Sequence, residues 1–196
     1  PNHEIALPAD PRVFNPETLN SVLSGRFDRR NARNIEGYLD GMSRLLDIGT
    51  GVGFIPIRAT QTRRDLVVMA QERRKELISI AKQIAHKNGA ADSAQLKFSD
   101  ANLIFAADAE GQASGLAAYL RDFRPDVLRI AYAPDLPAQT LQNADLASVQ
   151  RVIIPFHKNA ACETLRAAYG PVLAQHGLQE TTDRHEAGSL QFDRAE

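Results

Sequence analysis

Three glycines at alternate positions, Gly49, Gly51 and Gly53, form the segment of this chain that is best suited to hold a ligand. They lie between a short apolar run and a segment with helical spacing, which predicts a turn that leads into the N-terminus of a helix. Glycine in such a turn accepts positive φ and lets a ligand approach the backbone without meeting a Cβ atom. Because free N–H groups at a helix N-terminus favour negative charge, the turn suits a carboxylate or a phosphate.

The spacing of these glycines excludes two common nucleotide-binding motifs. A dinucleotide-binding turn needs glycine at relative positions one, three and six, but the sixth position falls on Phe54 or Pro56 when counted from Gly49 or Gly51. A nucleoside triphosphate loop needs Gly-Lys-Ser or Gly-Lys-Thr, which the sequence lacks. The pattern that remains is an acidic residue, Asp47, followed by the three alternate glycines.

The elements that must position this turn alternate between short apolar runs and amphipathic segments, as is typical of a parallel sheet covered by helices. An extended arm and two helical patches are predicted within residues 1–40, and a closing antiparallel hairpin at 178–182 and 189–192. Between them, strands are predicted at 44–48, 66–70, 94–99, 126–131 and 151–154, and helices from about 54, at 73–87, at 116–123 and at 160–176, with an interruption near Gly170-Pro171. We therefore predict one domain over 1–196, with the arm and lead-in helices at 1–40 and an α/β core at 41–196.

The segment from Asp47 to Gly53 resembles the first motif of class I S-adenosylmethionine-dependent methyltransferases. The resemblance implies a Rossmann-like fold with a mostly parallel seven-stranded sheet, helices on both faces and a C-terminal antiparallel hairpin. It implies S-adenosylmethionine as the methyl donor and S-adenosylhomocysteine as the product. The donor-binding residues that it implies are Asp47, Gly49, Thr50, Gly51, Gly53, Glu72 and Asp100.

Each implied acid has its own role in this resemblance. By this resemblance, Asp47 would lie near the amino group of the donor, directly or through water, and Glu72, at the end of the second predicted strand, would accept hydrogen bonds from the ribose hydroxyls. Asp100, at the end of the third predicted strand, would meet the adenine amino group, with Leu103 as an apolar wall.

Later segments resemble the FkbM-type methyltransferases, many of which act on hydroxyl groups of small molecules or sugars. The similarity extends from about Leu7 to Arg194. It is carried by Asn88-Gly89, by the strand from Asp126 to Ile130, by Ile153 to His157 and by Leu173 to Leu178.

The sequence departs from that family where its carboxylates would stand. The family's acids fall on Ala131, Ala133, Leu136 and Pro155, and alanine and leucine can neither accept a proton nor bind a metal. The acid–base or metal role of those carboxylates is therefore not carried over. His157 remains as the candidate general base, because a neutral imidazole can take a proton near pH 7.

Three functions follow from this combination of features. The first is an S-adenosylmethionine-dependent methyltransferase that methylates oxygen on a small molecule or sugar. The second is a donor-binding but catalytically lapsed family member that acts through a partner or as a regulator. The third is a nucleotide-sugar or dinucleotide enzyme that shares only the α/β layers.

Composition limits the partners that we expect. The 23 lysines and arginines balance 24 acidic residues, so no overall field recruits nucleic acid or an anionic membrane. The single cysteine and the lack of a long apolar run fit a cytoplasmic protein, and the histidines show no metal-ligand spacing, so no metal is expected. The same properties allow a homodimer. Local arginines at 26, 29, 30 and 33 form either a solvated helix face or an anion-binding lip over the active site.

Overall fold

A computed structural model describes residues 2–90, 95–100, 115–133, 136–156, 159–181 and 188–195. The strands are β1 (Arg44–Ile48), β2 (Val67–Gln71), β3 (Leu96–Ser99), β4 (Val127–Ile130), β5 (Arg151–Pro155), β6 (Leu178–Glu180) and β7 (Ser189–Arg194). The helices are α1 (Pro16–Leu23), α2 (Arg29–Tyr38), α3 (Phe54–Thr62), α4 (Lys75–Lys87), α5 (Leu116–Phe123), α6 (Ala138–Leu141) and α7 (Asn159–Gln175).

The strands form one mixed sheet in the order β3-β2-β1-β4-β5-β7-β6. Strands β1 to β5 pair in parallel, whereas β7 pairs antiparallel with both β5 and β6. The mostly parallel seven-stranded sheet with a C-terminal antiparallel hairpin confirms the predicted fold class. Because β1 lies between β2 and β4, the order of the sheet reverses beside β1, and ligands of such folds bind at the carboxyl ends of the strands at this point.

The central strands β1, β2, β4 and β5 supply both faces of the sheet with apolar side chains, because successive residues of a strand point to opposite sides. Leu45 joins a buried cluster that includes residues of α2, α3 and α4, while Leu46 joins a second cluster with residues of α5, α6 and α7. The helices therefore cover the two faces of the sheet and leave the carboxyl edge of β1, β2 and β4 for the glycine turn.

The C-terminal helix corrects one expectation. The predicted interruption near Gly170-Pro171 is wrong, because α7 continues through Pro171. Proline removes an intrahelical hydrogen bond, but Pro171 is exposed, and Tyr169 and Leu173 on either side of it are buried in the core. The burial of Tyr169 and Leu173 therefore stabilises the helix on both sides of the proline.

Other element bounds differ from the expected ones by a few residues at most. The short α6 was not predicted, since four residues are too few to show a helical period. The aperiodic polar segment at 101–113 lies outside the described residues. No helix among the described ranges is long and apolar enough to span a membrane.

Candidate donor-binding site

The glycine turn has the backbone conformation that its sequence predicts. Gly49, Gly51 and Gly53 have φ values of 73°, 60° and 76°. The N–H groups of Gly49 and Thr50 donate to the carbonyl oxygen of Gln71 at 2.9 and 3.0 Å. Because these bonds connect the turn to the end of β2, its shape is fixed by the sheet.

Gly51 and Gly53 require glycine for different reasons. A Cβ atom on Gly51 would meet no described atom within 4 Å, so open space lies beside the turn there. A Cβ atom on Gly53 would lie 2.9 Å from Cε1 of Phe98 and 3.1 Å from Cβ of Ala81. Gly53 therefore lets α3 pack closely on its neighbours, whereas Gly51 borders room for a ligand.

The N-terminus of α3 faces this turn without a side-chain cap. Gly53 occupies the cap position, and the first turn of the helix contains no acidic residue. The positive end of the helix dipole is thus left to interact with a negatively charged group.

Asp47 is fully buried and forms an ion pair with Arg129, with 2.7 Å between Oδ1 and Nη1. Burial raises the pKa of Asp47, although Arg129 and the Thr50 hydroxyl act to lower it. The Asp47 Oδ2 and Thr50 Oγ1 atoms are buried, and neither reaches hydrogen-bonding geometry with any described group. Apart from the approach of the Thr50 hydroxyl to the Asp47 carboxylate, these two buried atoms beside the glycine turn therefore have no partner in the described part of the chain.

Arg129 connects Asp47 to a second carboxylate that sequence reasoning missed. The Nη2 atom of Arg129 lies 3.6 Å from Oδ2 of Asp28. Asp28 is the residue before α2 and has a φ of 43°. Burial acts to lower the pKa of Arg129, but Asp47 and Asp28 raise it overall. The signal for this pairing was present, because Arg129 is a charged residue in an otherwise apolar strand, and buried charges need partners.

Glu72 lies at the same edge, but its carboxylate is already in use. Its Oε2 accepts from the Gly51 N–H at 2.9 Å and from Nη2 of Arg74 at 3.0 Å. Its Oε1 accepts from the backbone N–H and the Nε of Arg74 at 3.1 and 2.7 Å. Four donors occupy a carboxylate that has about four acceptor positions, so a ribose would have to displace some of them.

These bonds also determine the ionisation of Glu72. Burial acts to raise the pKa of Glu72, but the bonds from Arg74 and Gly51 lower it overall. The carboxylate is therefore held in its charged form directly behind the glycine turn.

Asp100 is the least constrained of the implied acids. Its side chain is 54% exposed, and its Oδ2 lies 3.9 Å from Nζ of Lys75. It follows β3, so it belongs to the carboxyl edge that carries Glu72, but no hydrogen bond of the described residues connects Asp100 to the turn. Leu103 lies outside the described residues.

The positions at which the carboxylates of the FkbM-type family would fall carry apolar side chains. Ala131, Ala133 and Leu136 follow β4 and Pro155 ends β5, and Leu136 is fully buried. His157 lies outside the described residues. Within the described ranges no three metal-ligating side chains come together.

Comparison with known proteins supports the fold. No family model and no curated protein matches the sequence. Among solved structures, a putative caffeoyl-CoA O-methyltransferase from Staphylococcus aureus has a TM-score of 0.61 at 14% identity, over 85% of this chain and 84% of that one. The ribosomal protein L11 methylase of Lactobacillus delbrueckii subsp. bulgaricus has a TM-score of 0.58 at 16% identity, over 86% and 79%.

A third similar structure contains the demethylated donor. It is that of M. capricolum TrmK in complex with the cofactor product S-adenosylhomocysteine, with a TM-score of 0.51 at 15% identity, over 85% of this chain and 68% of that one. At these identities the similarity establishes the fold, which class I methyltransferases with different acceptors share.

Proposed function

We propose that this chain is a class I S-adenosylmethionine-dependent methyltransferase that methylates oxygen on a small molecule or sugar. The observation that carries the proposal is a pair of buried oxygens, Asp47 Oδ2 and Thr50 Oγ1, beside the open space at Gly51. No other described residue donates a hydrogen bond to either of them. The FkbM-type relationship, a single domain over 1–196, a homodimer and a cytoplasmic location remain predictions of the sequence.

The residues present fit the amino-acid half of the donor. Oδ2 of Asp47 can accept from its ammonium group, and the uncapped N-terminus of α3 suits its carboxylate. Glu72 would hold the ribose once Arg74 releases part of its carboxylate. Asp100 would meet the adenine.

Methyl transfer places few chemical demands on the protein. When bound, the donor supplies an electrophilic sulfonium methyl group, so correct alignment of the acceptor oxygen provides much of the rate. The residues at 131, 133, 136 and 155 are apolar and cannot take a proton from the acceptor. We assign that role to His157, which follows β5.

The competing proposal is a donor-binding protein that has lost methyl transfer, and the same four apolar positions favour it. General-base assistance contributes about 10²–10⁴-fold to a rate, so its loss would leave transfer to a simple alcohol slow. Both proposals share the donor site and differ only in turnover.

A tritium-transfer assay separates these proposals. Wild type and His157→Ala are incubated with tritiated S-adenosylmethionine and a panel of sugars and hydroxylated metabolites. Turnover that falls about 10²-fold or more in His157→Ala supports the methyltransferase with a histidine base. Donor binding without turnover supports the lapsed protein, and absence of donor binding contradicts both.

A further inference from the structure

The N-terminal part of α2 concentrates positive charge where a helix least favours it. Arg29 and Arg30 begin this helix, Arg33 follows in the next turn, and the first turn contains no acidic residue. Cations at a helix N-terminus are destabilised by the helix dipole. None of these three arginines pairs with a carboxylate of the described residues. The carboxylate of Asp28, directly before the helix, is paired with Arg129 instead.

A second helix adds to this charge from the side. Arg58 lies on α3, which packs against α2, and its Nη1 is 3.4 Å from Oε2 of the exposed Glu4. Its Nε atom is buried and has no partner in the described part of the chain. Arg58 therefore has a hydrogen-bond donor that no described residue uses.

The N-terminal arm places a histidine among these arginines. Asn2 and Ile5 form an isolated bridge around His3, which has a φ of 46°. The Asn2 side chain fixes this bend, because it donates to the carbonyl oxygen of Val22 and accepts from the N–H of Phe27, both at 3.0 Å.

The electrostatic surroundings of His3 agree with positive charge nearby. Burial lowers the pKa of His3, and Arg58, Arg29 and Arg33 lower it further, while Asp28 acts in the opposite direction. Arg29 and Arg33 are four positions apart, so they share one face of α2. His3 itself lies between Asn2, which is bonded to the Phe27 N–H just before α2, and Glu4, which pairs with Arg58 of α3.

This group of side chains matches one class of ligand. Guanidinium groups bind phosphate oxygens in a bidentate manner, and a phosphate would relieve the mutual repulsion of the arginines and satisfy the free Nε of Arg58. Glu4 is a weak competitor because its side chain is 86% exposed.

The group lies at the edge of the sheet that carries the donor site. Asp28, at the start of α2, contacts Arg129, which pairs with Asp47 beside the glycine turn. Arg30 of α2 lies close to Gly188, whose carbonyl oxygen accepts from the N–H of Phe156 directly after β5.

We propose that His3, Arg29, Arg33 and Arg58 form a binding site for the phosphate group of a phosphorylated small molecule. That this molecule is the methyl acceptor rests on the proposed function. Of the two interpretations of the arginine-rich segment, the proposed site favours the anion-binding lip.

The direct test is a titration with inorganic phosphate at constant ionic strength. The NMR signals of the arginine Nε–H groups are recorded at each phosphate concentration. Wild type is expected to show saturable shifts, with binding at least about tenfold weaker in Arg29→Gln/Arg33→Gln. Arg64→Gln is the matched control, because Arg64 is an exposed arginine before β2, at the opposite edge of the sheet. Equal affinity in wild type and the double variant would overturn the site.

A second titration identifies the source of the phosphate. Glucose 6-phosphate is expected to bind the wild type and displace inorganic phosphate, whereas glucose does not. Binding of a short single-stranded RNA with steep salt dependence, without binding of the sugar phosphate, would overturn the small-molecule proposal.

Calorimetry with S-adenosylmethionine on the same proteins separates the two claims. In the expected outcome, wild type and Arg29→Gln/Arg33→Gln bind the donor equally while the variant binds phosphate more weakly. That result supports both the donor site and the separate phosphate site. Phosphate binding without donor binding in wild type would contradict the proposed function but not the phosphate site.

Discussion

Asp47 and Arg129 face each other on the neighbouring strands β1 and β4, where both side chains are buried. Arg129→Met is expected to lower the free energy of unfolding by about 3–5 kcal/mol, because it leaves the carboxyl group of Asp47 without its partner in the core. Urea denaturation measures this change.

The matched control for this pair is Asp47→Leu/Arg129→Met, in which both charges are replaced by apolar groups. It is expected to recover most of the lost stability, since a buried ion pair contributes little more than apolar packing. If the double variant is as unstable as Arg129→Met, Asp47 is not the group that makes the single substitution costly.

Glu72 and Arg74 are expected to affect donor binding in opposite directions. Glu72→Ala removes the ribose partner and the acceptor of the Gly51 N–H, so donor binding should weaken by about 1.5–3 kcal/mol. Arg74→Ala releases acceptor positions on Glu72, so donor binding should strengthen by about tenfold, or about 1.4 kcal/mol. Weaker calorimetric affinity in Arg74→Ala would show that Arg74 itself holds the donor.

Sequence patterns predicted single residues of this site unevenly. The positive φ of Gly49, Gly51 and Gly53 follows from their spacing, and the position of Glu72 follows from the strand before it. That Arg74 folds back onto Glu72 depends on the rotamer of a half-exposed side chain, which no sequence period encodes.

At the scale of elements, the turn between β1 and α3 can be tested at one position. Gly51→Val should abolish donor binding in a folded protein, because the side chain enters the open space and resists positive φ. Calorimetry and circular dichroism of the same sample check both parts. Full affinity in Gly51→Val would show that the donor does not pass over this turn.

Gly53→Ala provides the contrast within the same turn. Its Cβ would crowd Phe98 and Ala81, so stability should fall by about 1–3 kcal/mol from overpacking, in addition to the strain of positive φ that Gly51→Ala shares. Thermal unfolding of the two alanine variants should therefore rank Gly53→Ala below Gly51→Ala, and the reverse order would contradict the packing role of Gly53.

Tyr169 connects α7 to the segment after β4, and its hydroxyl donates to the carbonyl oxygen of Leu136 at 2.6 Å. Burial raises the pKa of Tyr169 from 10.0 to about 12. The unfolded chain therefore loses this proton first as pH rises, so the stability from this group is complete below pH 10 and is lost between about pH 10 and 12.

Tyr169→Phe removes this hydrogen bond and the linked proton. It should lower the free energy of unfolding by about 1 kcal/mol at pH 8, and the difference from wild type should shrink as pH rises above 10. Urea denaturation at several pH values measures it. A difference that grows with alkaline pH would contradict the raised pKa.

Elements with a clear hydrophobic pattern were the most predictable part of the fold. β1 and α5 have the expected bounds, and α3 begins at the expected residue. The continuation of α7 through Pro171 was not predictable from local sequence, because it depends on the tertiary burial of Tyr169 and Leu173.

At the scale of the whole molecule, the sheet collects polar and charged groups at one edge. The glycine turn, Glu72, the Asp47–Arg129 pair and the start of α2 all lie at the carboxyl ends of the parallel strands. A shallow groove between Leu120 and Ser148 lies before β4 and β5, at the opposite edge, away from these groups. One face of the molecule therefore carries both proposed ligand sites.

Calorimetric titration with S-adenosylmethionine tests the central claim most directly. We expect the wild-type protein to bind the donor with a micromolar dissociation constant, or about 7–8 kcal/mol. S-adenosylhomocysteine should bind in the same range, and a nicotinamide dinucleotide should give no heat. Binding of the dinucleotide, with no heat from either S-adenosyl compound, would contradict the assignment of the glycine turn to a methyl donor.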